Sequence, residues 1–182
     1  AYTNGPNLQQ KLVRSDLNAP NIGHKNAVQN ATSKNKNFIK NISCRCTSIK
    51  CKACNYLLTG KCVKSTVNSH VVPVTGKLSC SSANVVYLIT CKKCKKQYVG
   101  ETGRSVADRI NDHLSAIRLK KPTPVGIHFN LDGHKITDFG LMPFQQITLL
   151  NNSKTFRVTM ETTYQNLLQT IHPMGINQLT KP

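Results

Sequence analysis

Tryptophan is absent from the 182-residue chain, and carboxylates are scarce: five aspartates and two glutamates face 25 lysines and arginines. Five tyrosines and five phenylalanines are the only aromatic bulk, so the core is expected to be thin and to gain from cross-links. So few acids argue against a site that gathers several carboxylates around two metal ions; one divalent cation on one carboxylate fits better. No run of 18 apolar residues occurs and no signal-peptide pattern opens the chain, so a soluble protein with no membrane span and no secretion is expected. The first residue is Ala1, which reads as a piece of a longer polypeptide.

What is present is positive charge, unevenly spread. Residues 1–100 carry sixteen lysines and arginines against Asp16 alone, and residues 101–182 carry nine against six acids. From Leu17 to Gly100 there is no carboxylate at all. Such a stretch repels itself unless a polyanion neutralises it, which points to nucleic acid as partner. A basic targeting or solubilising tail is the plainer alternative. An anionic membrane surface fits less well, because no amphipathic helix accompanies the charge.

Eight cysteines allow four disulfides or zinc. With no secretory signal and with C-x-x-C pairs beside basic residues, zinc is the better reading. Residues 1–43, rich in Asn, Lys and Ser, read as a basic linker with room for one short helix around Leu8, Leu12, Val13 and Leu17. Residues 44–82 hold six cysteines and read as a zinc-binding linker, a metal-stapled knuckle. Residues 83–182 read as a small α/β domain of the α+β type, an antiparallel sheet flanked by helices. Within it "NVVYLIT" (84–90) predicts a buried strand and "KQYVGE" (96–101) its hairpin partner. "SVADRINDHLSAIRLKK" (105–121) predicts a helix on Val106, Ile110, Leu114 and Ile117, opened by a Ser105–Asp108 capping-box pattern and ended by Pro122 and Pro124. "FQQITLL" (144–150) predicts a strand, and residues 154–171 a helix with Phe156, Met160, Tyr164, Leu167 and Ile171 on one stripe, closed by Pro173.

Several residues in this frame carry chemistry. Tyr87 and Tyr98 alternate in strands flanking one hairpin and can face one pocket, while Gly100 and Gly103 let a phosphate approach the backbone. Arg109 and His113 lie four apart on one helical stripe, an arginine fork suited to phosphate beside a group suited to proton transfer. Read blandly, Arg109 is a solvated charge and Tyr87 is core. Cys91 and Cys94 at the hairpin turn supply half of a tetrahedral site, and His128 and His134 can supply the rest, tying the hairpin to the loop after the helix. Cys46, Cys51 and Cys54 (C-x4-C-x2-C) open a second site, with Cys80 as preferred fourth ligand and Cys44, Cys62 and His70 as rivals. Two structural zinc ions are therefore expected. Arg45, Lys50, Lys52, Lys61 and Lys64 around the second site suggest contact with phosphates, which positions without specifying sequence.

"VVY" at 85–87, "YVG" at 98–100, Arg109, Glu161 and "GIN" at 175–177 resemble the GIY-YIG nucleases. The C-x-x-C between the two tyrosine motifs, with "PNLQQKLVRSDL" and the C-x4-C-x2-C run upstream, resembles the endonuclease region of Penelope-like retroelement proteins. Val-Val-Tyr replaces Gly-Ile-Tyr but keeps the tyrosine. The resemblance implies a GIY-YIG fold and a DNA endonuclease whose cut leaves a 3′-hydroxyl that a linked reverse transcriptase extends. It implies Tyr87 as general base toward water, helped by His113, with Tyr98 orienting the nucleophile or phosphate and Arg109 stabilising phosphate charge. Glu161 would hold Mg²⁺ or Mn²⁺, and Asn177 would help hold the phosphate or the site. Implied partners are target DNA, the element's RNA and the reverse transcriptase, and the implied place of action is the nucleus. The alternatives are a zinc-dependent nucleic-acid binding module with a dormant nuclease, and a repair-type nuclease for which no further cue exists. For Glu161 the bland alternative is a helical pair with Arg157.

Overall fold

The longest apolar run takes the centre of the sheet. In the computed structural model, residues 41–147 and 153–178 are described. The Leu8–Leu17 cluster and its expected helix lie outside them. All described residues belong to the unit spanning residues 38–182. Four short strands come first, β1 (Ile42–Ser43), β2 (Cys62–Lys64), β3 (Val71–Pro73) and β4 (Lys77–Leu78). The main sheet is β5 (Val85–Cys91), β6 (Gln97–Thr102) and β7 (Phe139–Gln146), with helices α1 (Val106–Arg118), α2 (Pro124–Phe129) and α3 (Lys154–Leu168). The strand order is β6-β5-β7, and both neighbours run antiparallel to β5. β5 is buried along nearly its whole length, as a continuous Val/Ile/Leu run requires of a strand covered on both faces. Ile89 within it and Ile110, Leu141 and Phe144 beside it are fully buried, each contributing about 1.5–3 kcal/mol of apolar transfer.

Two expectations need correction. The strand expected at 144–150 lies at Phe139–Gln146, and residues 148–150 fall outside the described residues. Gly140 and Pro143 disguised its first half. A Cβ on Gly140 would stand 2.9 Å from the Leu58 side chain, so glycine is needed there for close approach. Pro143 sits on the outer strand beside a register shift in which Phe144 is the extra residue between Val86 and Tyr87. The second correction is α2, a helix where the sequence pattern leads one to expect Pro122 and Pro124 only as stops. Pro124 opens this short helix, because a proline at the first position loses no helical bond, and the Thr123 hydroxyl accepts from the Gly126 amide.

The cysteine-rich stretch shares the core of the sheet. Leu58 donates its amide to Leu141, and Leu141 donates back to Tyr56, so residues 56–58 cover the outer edge of β7. Ala53, Leu57, Val63, Val74 and Leu78 are buried in the same cluster as Tyr87 and Ile110. Two further contacts reach the helices. Val106 and Ala107, at the start of α1, donate their amides to the carbonyls of Ser82 (2.9 Å) and Cys80 (2.7 Å). At the other end, Ser65 donates to the Leu168 carbonyl (2.9 Å) and Asn68 to the Leu167 carbonyl (3.0 Å), closing the last turn of α3.

Candidate active site and metal centres

Gly100 sets the geometry of the tyrosines. It stands opposite Tyr87 in the β5–β6 pairing, two residues from Tyr98 on the same strand, so all three point to one face. A Cβ there would lie 2.4 Å from the Tyr87 hydroxyl and 2.8 Å from the Tyr98 ring, so only glycine admits both rings. α1 crosses this face. Its N-cap Ser105 accepts from the Asp108 amide at 3.1 Å, while the Asp108 carboxylate accepts from the Ser105 hydroxyl and not from the backbone. Four residues apart on that helix, Arg109 and His113 converge on the same phenol. Arg109 Nε donates to Tyr87 Oη at 2.7 Å, and His113 Nε2 lies 2.9 Å from that oxygen.

Burial decides the protonation states. Tyr87 is wholly buried, and burial, with Tyr98 next, pushes its pKa well above the usual tyrosine value while Arg109 opposes the shift. Tyr98 is pushed up to about 12 by burial and by Glu161. His113 is pushed down to about 3, first by burial and then by Arg109, so it is a neutral imidazole. Its Nε2 faces the phenol oxygen and donates or accepts there according to the tautomer.

Two hollows meet at Tyr98. The first, about 370 Å³, is bordered by Arg109, Asp112, His113, Lys121 and Thr123. The second, about 340 Å³, is bordered by Glu161, Thr162, Gln165, Asn177 and Gln178, with Pro124 shared between them. Glu161 makes no hydrogen bond or ion pair among the described residues, and burial, then the nearby Glu101 charge, raises its pKa to about 7 against the opposing pull of Arg109. An unneutralised carboxylate in this setting suits a divalent cation. The bland pairing with Arg157 is not what the structure shows. Arg157 turns to Glu101 at 2.7 Å and to Asn84 at 3.3 Å, lying over Gly103. Asn177 is buried with its amide committed to β6, donating to the Val99 carbonyl at 2.8 Å and accepting from the Val99 amide at 2.9 Å. Of the two roles implied for it, holding the site is the one this geometry serves.

Both expected metal sets come together. The ligand atoms of Cys91, Cys94, His128 and His134 lie within 4.8 Å of one another, as do those of Cys46, Cys51, Cys54 and Cys80. Cys44, Cys62 and His70 are in neither group. All eight cysteines are unbridged, and neighbouring sulfurs in the second set stand 3.4–3.7 Å apart. That is near the edge of a tetrahedron with metal–sulfur bonds of about 2.3 Å. In the first set Cys94 Sγ lies 3.4 Å from His128 Nε2, and both ring nitrogens of His134 are buried without a partner. A buried imidazole with neither nitrogen satisfied is costly unless it ligates. His128 is held neutral, its pKa down to about 4 through burial and the neighbouring His134 and Lys96. The donors fit zinc in both places.

Lys121, Asp112 and Gln165 also border the hollows, and no motif in the sequence marks Lys121 or Asp112. For Gln165 a signal existed, since it lies one helical turn beyond Glu161. A family profile described as the GIY-YIG catalytic domain matches residues 83–177. No curated protein and no solved structure gives a significant match.

Proposed function

The chain belongs to the GIY-YIG family through residues 83–177, and on that premise we propose that it is a metal-dependent DNA endonuclease of a Penelope-like retroelement. It hydrolyses a phosphodiester so that the strand ends in a 3′-hydroxyl, which a linked reverse transcriptase extends on the element's RNA in the nucleus. The supporting observation is the meeting of two unlike hollows at Tyr98, one with Arg109 and His113 and the other with the unpaired Glu161.

Arg109, fixed by Tyr87, turns its guanidinium to the phosphate and stabilises the charge that grows there as water attacks. The water gives its proton to His113 Nδ1, which is open in the tautomer whose Nε2–H donates to Tyr87 Oη at 2.9 Å. His113 borders the hollow and Tyr87 does not, so the water meets the imidazole side and the phenol backs it. This amends the expectation that Tyr87 faces water directly. Tyr98, on the ridge, orients water and phosphate. Glu161 would hold Mg²⁺ or Mn²⁺, whose charge would favour departure of the 3′ oxygen. Cys91, Cys94, His128 and His134 would hold one zinc ion, joining the tyrosine hairpin to α2, and Cys46, Cys51, Cys54 and Cys80 would hold another, fixing the basic upstream stretch against the sheet.

A dormant nuclease that serves as a nucleic-acid binding module is favoured by one observation, the complete burial of Tyr87. Nicking of supercoiled plasmid separates the two. The enzyme should nick with Mg²⁺ or Mn²⁺ and stop in a chelator too weak to strip zinc. Glu161→Gln should cut at least a hundredfold more slowly while binding DNA as well as the wild type. Equal cutting by both proteins, with zinc content matched, would overturn the mechanism, and no cutting by either would favour the binding module.

A further inference from the structure

The two hollows differ in charge, and in a chain of net charge +18 that difference is informative. Arg109 and Lys121 border the first, while no lysine or arginine borders the second. A groove that held a run of backbone phosphates would line them with basic side chains, whereas this one meets phosphate only at Glu161 and the cation it would hold. The second has instead the Tyr98 ring, the apolar Pro124 and Val158, and the carboxamides of Gln165 and Gln178. Neither carboxamide hydrogen-bonds to any described residue, and Gln165 is half-buried beside Glu161. An aromatic ring, apolar walls and a free donor–acceptor pair form the surface that receives a nucleobase.

We infer that the second hollow is a nucleotide subsite in which Gln165, assisted by Gln178, reads the base of the nucleotide that keeps the 3′-hydroxyl. The side of the cut rests on the endonuclease reading above, since Glu161 serves the departing 3′ oxygen and Gln165 follows it one turn later on α3. A carboxamide presents one donor and one acceptor, a match for a base edge with the complementary pair, adenine foremost. Gln165 is thus a specificity residue, and its removal should change what is cut more than how fast.

The test uses the full chain on a pool of duplexes with a randomised stretch, with the 3′ ends of the products sequenced. Wild type should show an uneven base distribution at the last nucleotide, and Gln165→Ala should flatten it at least fivefold there and at no other position. Gln165→Glu, which only accepts, should move the preference toward cytosine, whose exocyclic amine donates. A structural role alone would lower cutting everywhere and leave the distribution unchanged. An identical distribution in wild type and both variants would overturn the subsite while leaving the nuclease standing. If wild type cuts nothing, the endonuclease reading fails by itself. The subsite is then tested without divalent metal, by fluorescence anisotropy on oligonucleotides ending in each of the four 3′-nucleotides. Binding that ignores both the terminal base and Gln165→Ala would overturn it.

Discussion

Enclosed by Tyr87 on β5, Tyr98 on β6, Phe139 on β7 and its own helix neighbours Arg109 and Asp112, His113 resists protonation down to about pH 3. In an unfolded chain it would take its proton near pH 6.5. The unfolded state therefore binds the proton first, and stability is lost as pH falls from about 6.5 toward 3, by about 1.4 kcal/mol per unit at this residue. His113→Gln keeps a polar group within reach of Tyr87 and removes the titration. Chemical denaturation at pH 7 and pH 5 should show a smaller acid loss in the variant, by about 2 kcal/mol. An unchanged acid loss would mean that His113 is not buried as described. The residues of this cluster were legible because a strand's period of two and a helix's period of 3.6 put Tyr87, Tyr98, Arg109 and His113 on facing stripes. What period cannot show is depth. That Tyr87 lies out of reach of water follows from packing by distant residues.

The elements show the same division between local pattern and remote contact. α1 and β5 were readable from spacing, and so was the body of α3, though it ends at Leu168 and not at residue 171 and opens on a cap the spacing did not reveal, the Ser153 hydroxyl accepting from the Phe156 amide at 3.0 Å. β7 and α2 were not, because Gly140, Pro143 and Pro124 are breakers in isolation and become useful only against Leu58, the strand edge and Thr123. Nor could any local rule show that α3 ends on Ser65 and Asn68, about a hundred residues upstream. These two side chains satisfy carbonyls that a helix end leaves open, at about 1 kcal/mol each. The Ser65→Ala/Asn68→Ala double variant should lose about 2 kcal/mol in urea unfolding. Amide exchange should rise in the last turn of α3 but not in α1. Uniformly faster exchange would count against a local cap.

For the molecule as a whole, the expected metal content is two zinc ions per chain as purified, measured by elemental analysis. A value near zero would remove both sites, and a value near one would leave a single site to be assigned by substituting Cys51 or Cys94. DNA affinity should fall steeply with salt, since a surface neutralising six phosphates loses about a thousandfold between roughly 50 and 200 mM. A flat salt dependence would mean that the carboxylate-free stretch does not lie along the backbone. Among the described residues no helix is long and apolar enough to cross a membrane.

Cys80 answers to two masters. Its sulfur belongs to the upstream cluster, and its carbonyl receives the Ala107 amide that starts the helix of Arg109 and His113. The knuckle is therefore not a cassette. A recombination event that exchanged residues 44–82 for another module would also discard the seat of that helix. Change that leaves that helix seated is therefore easier in the second hollow than in the cysteine-rich stretch.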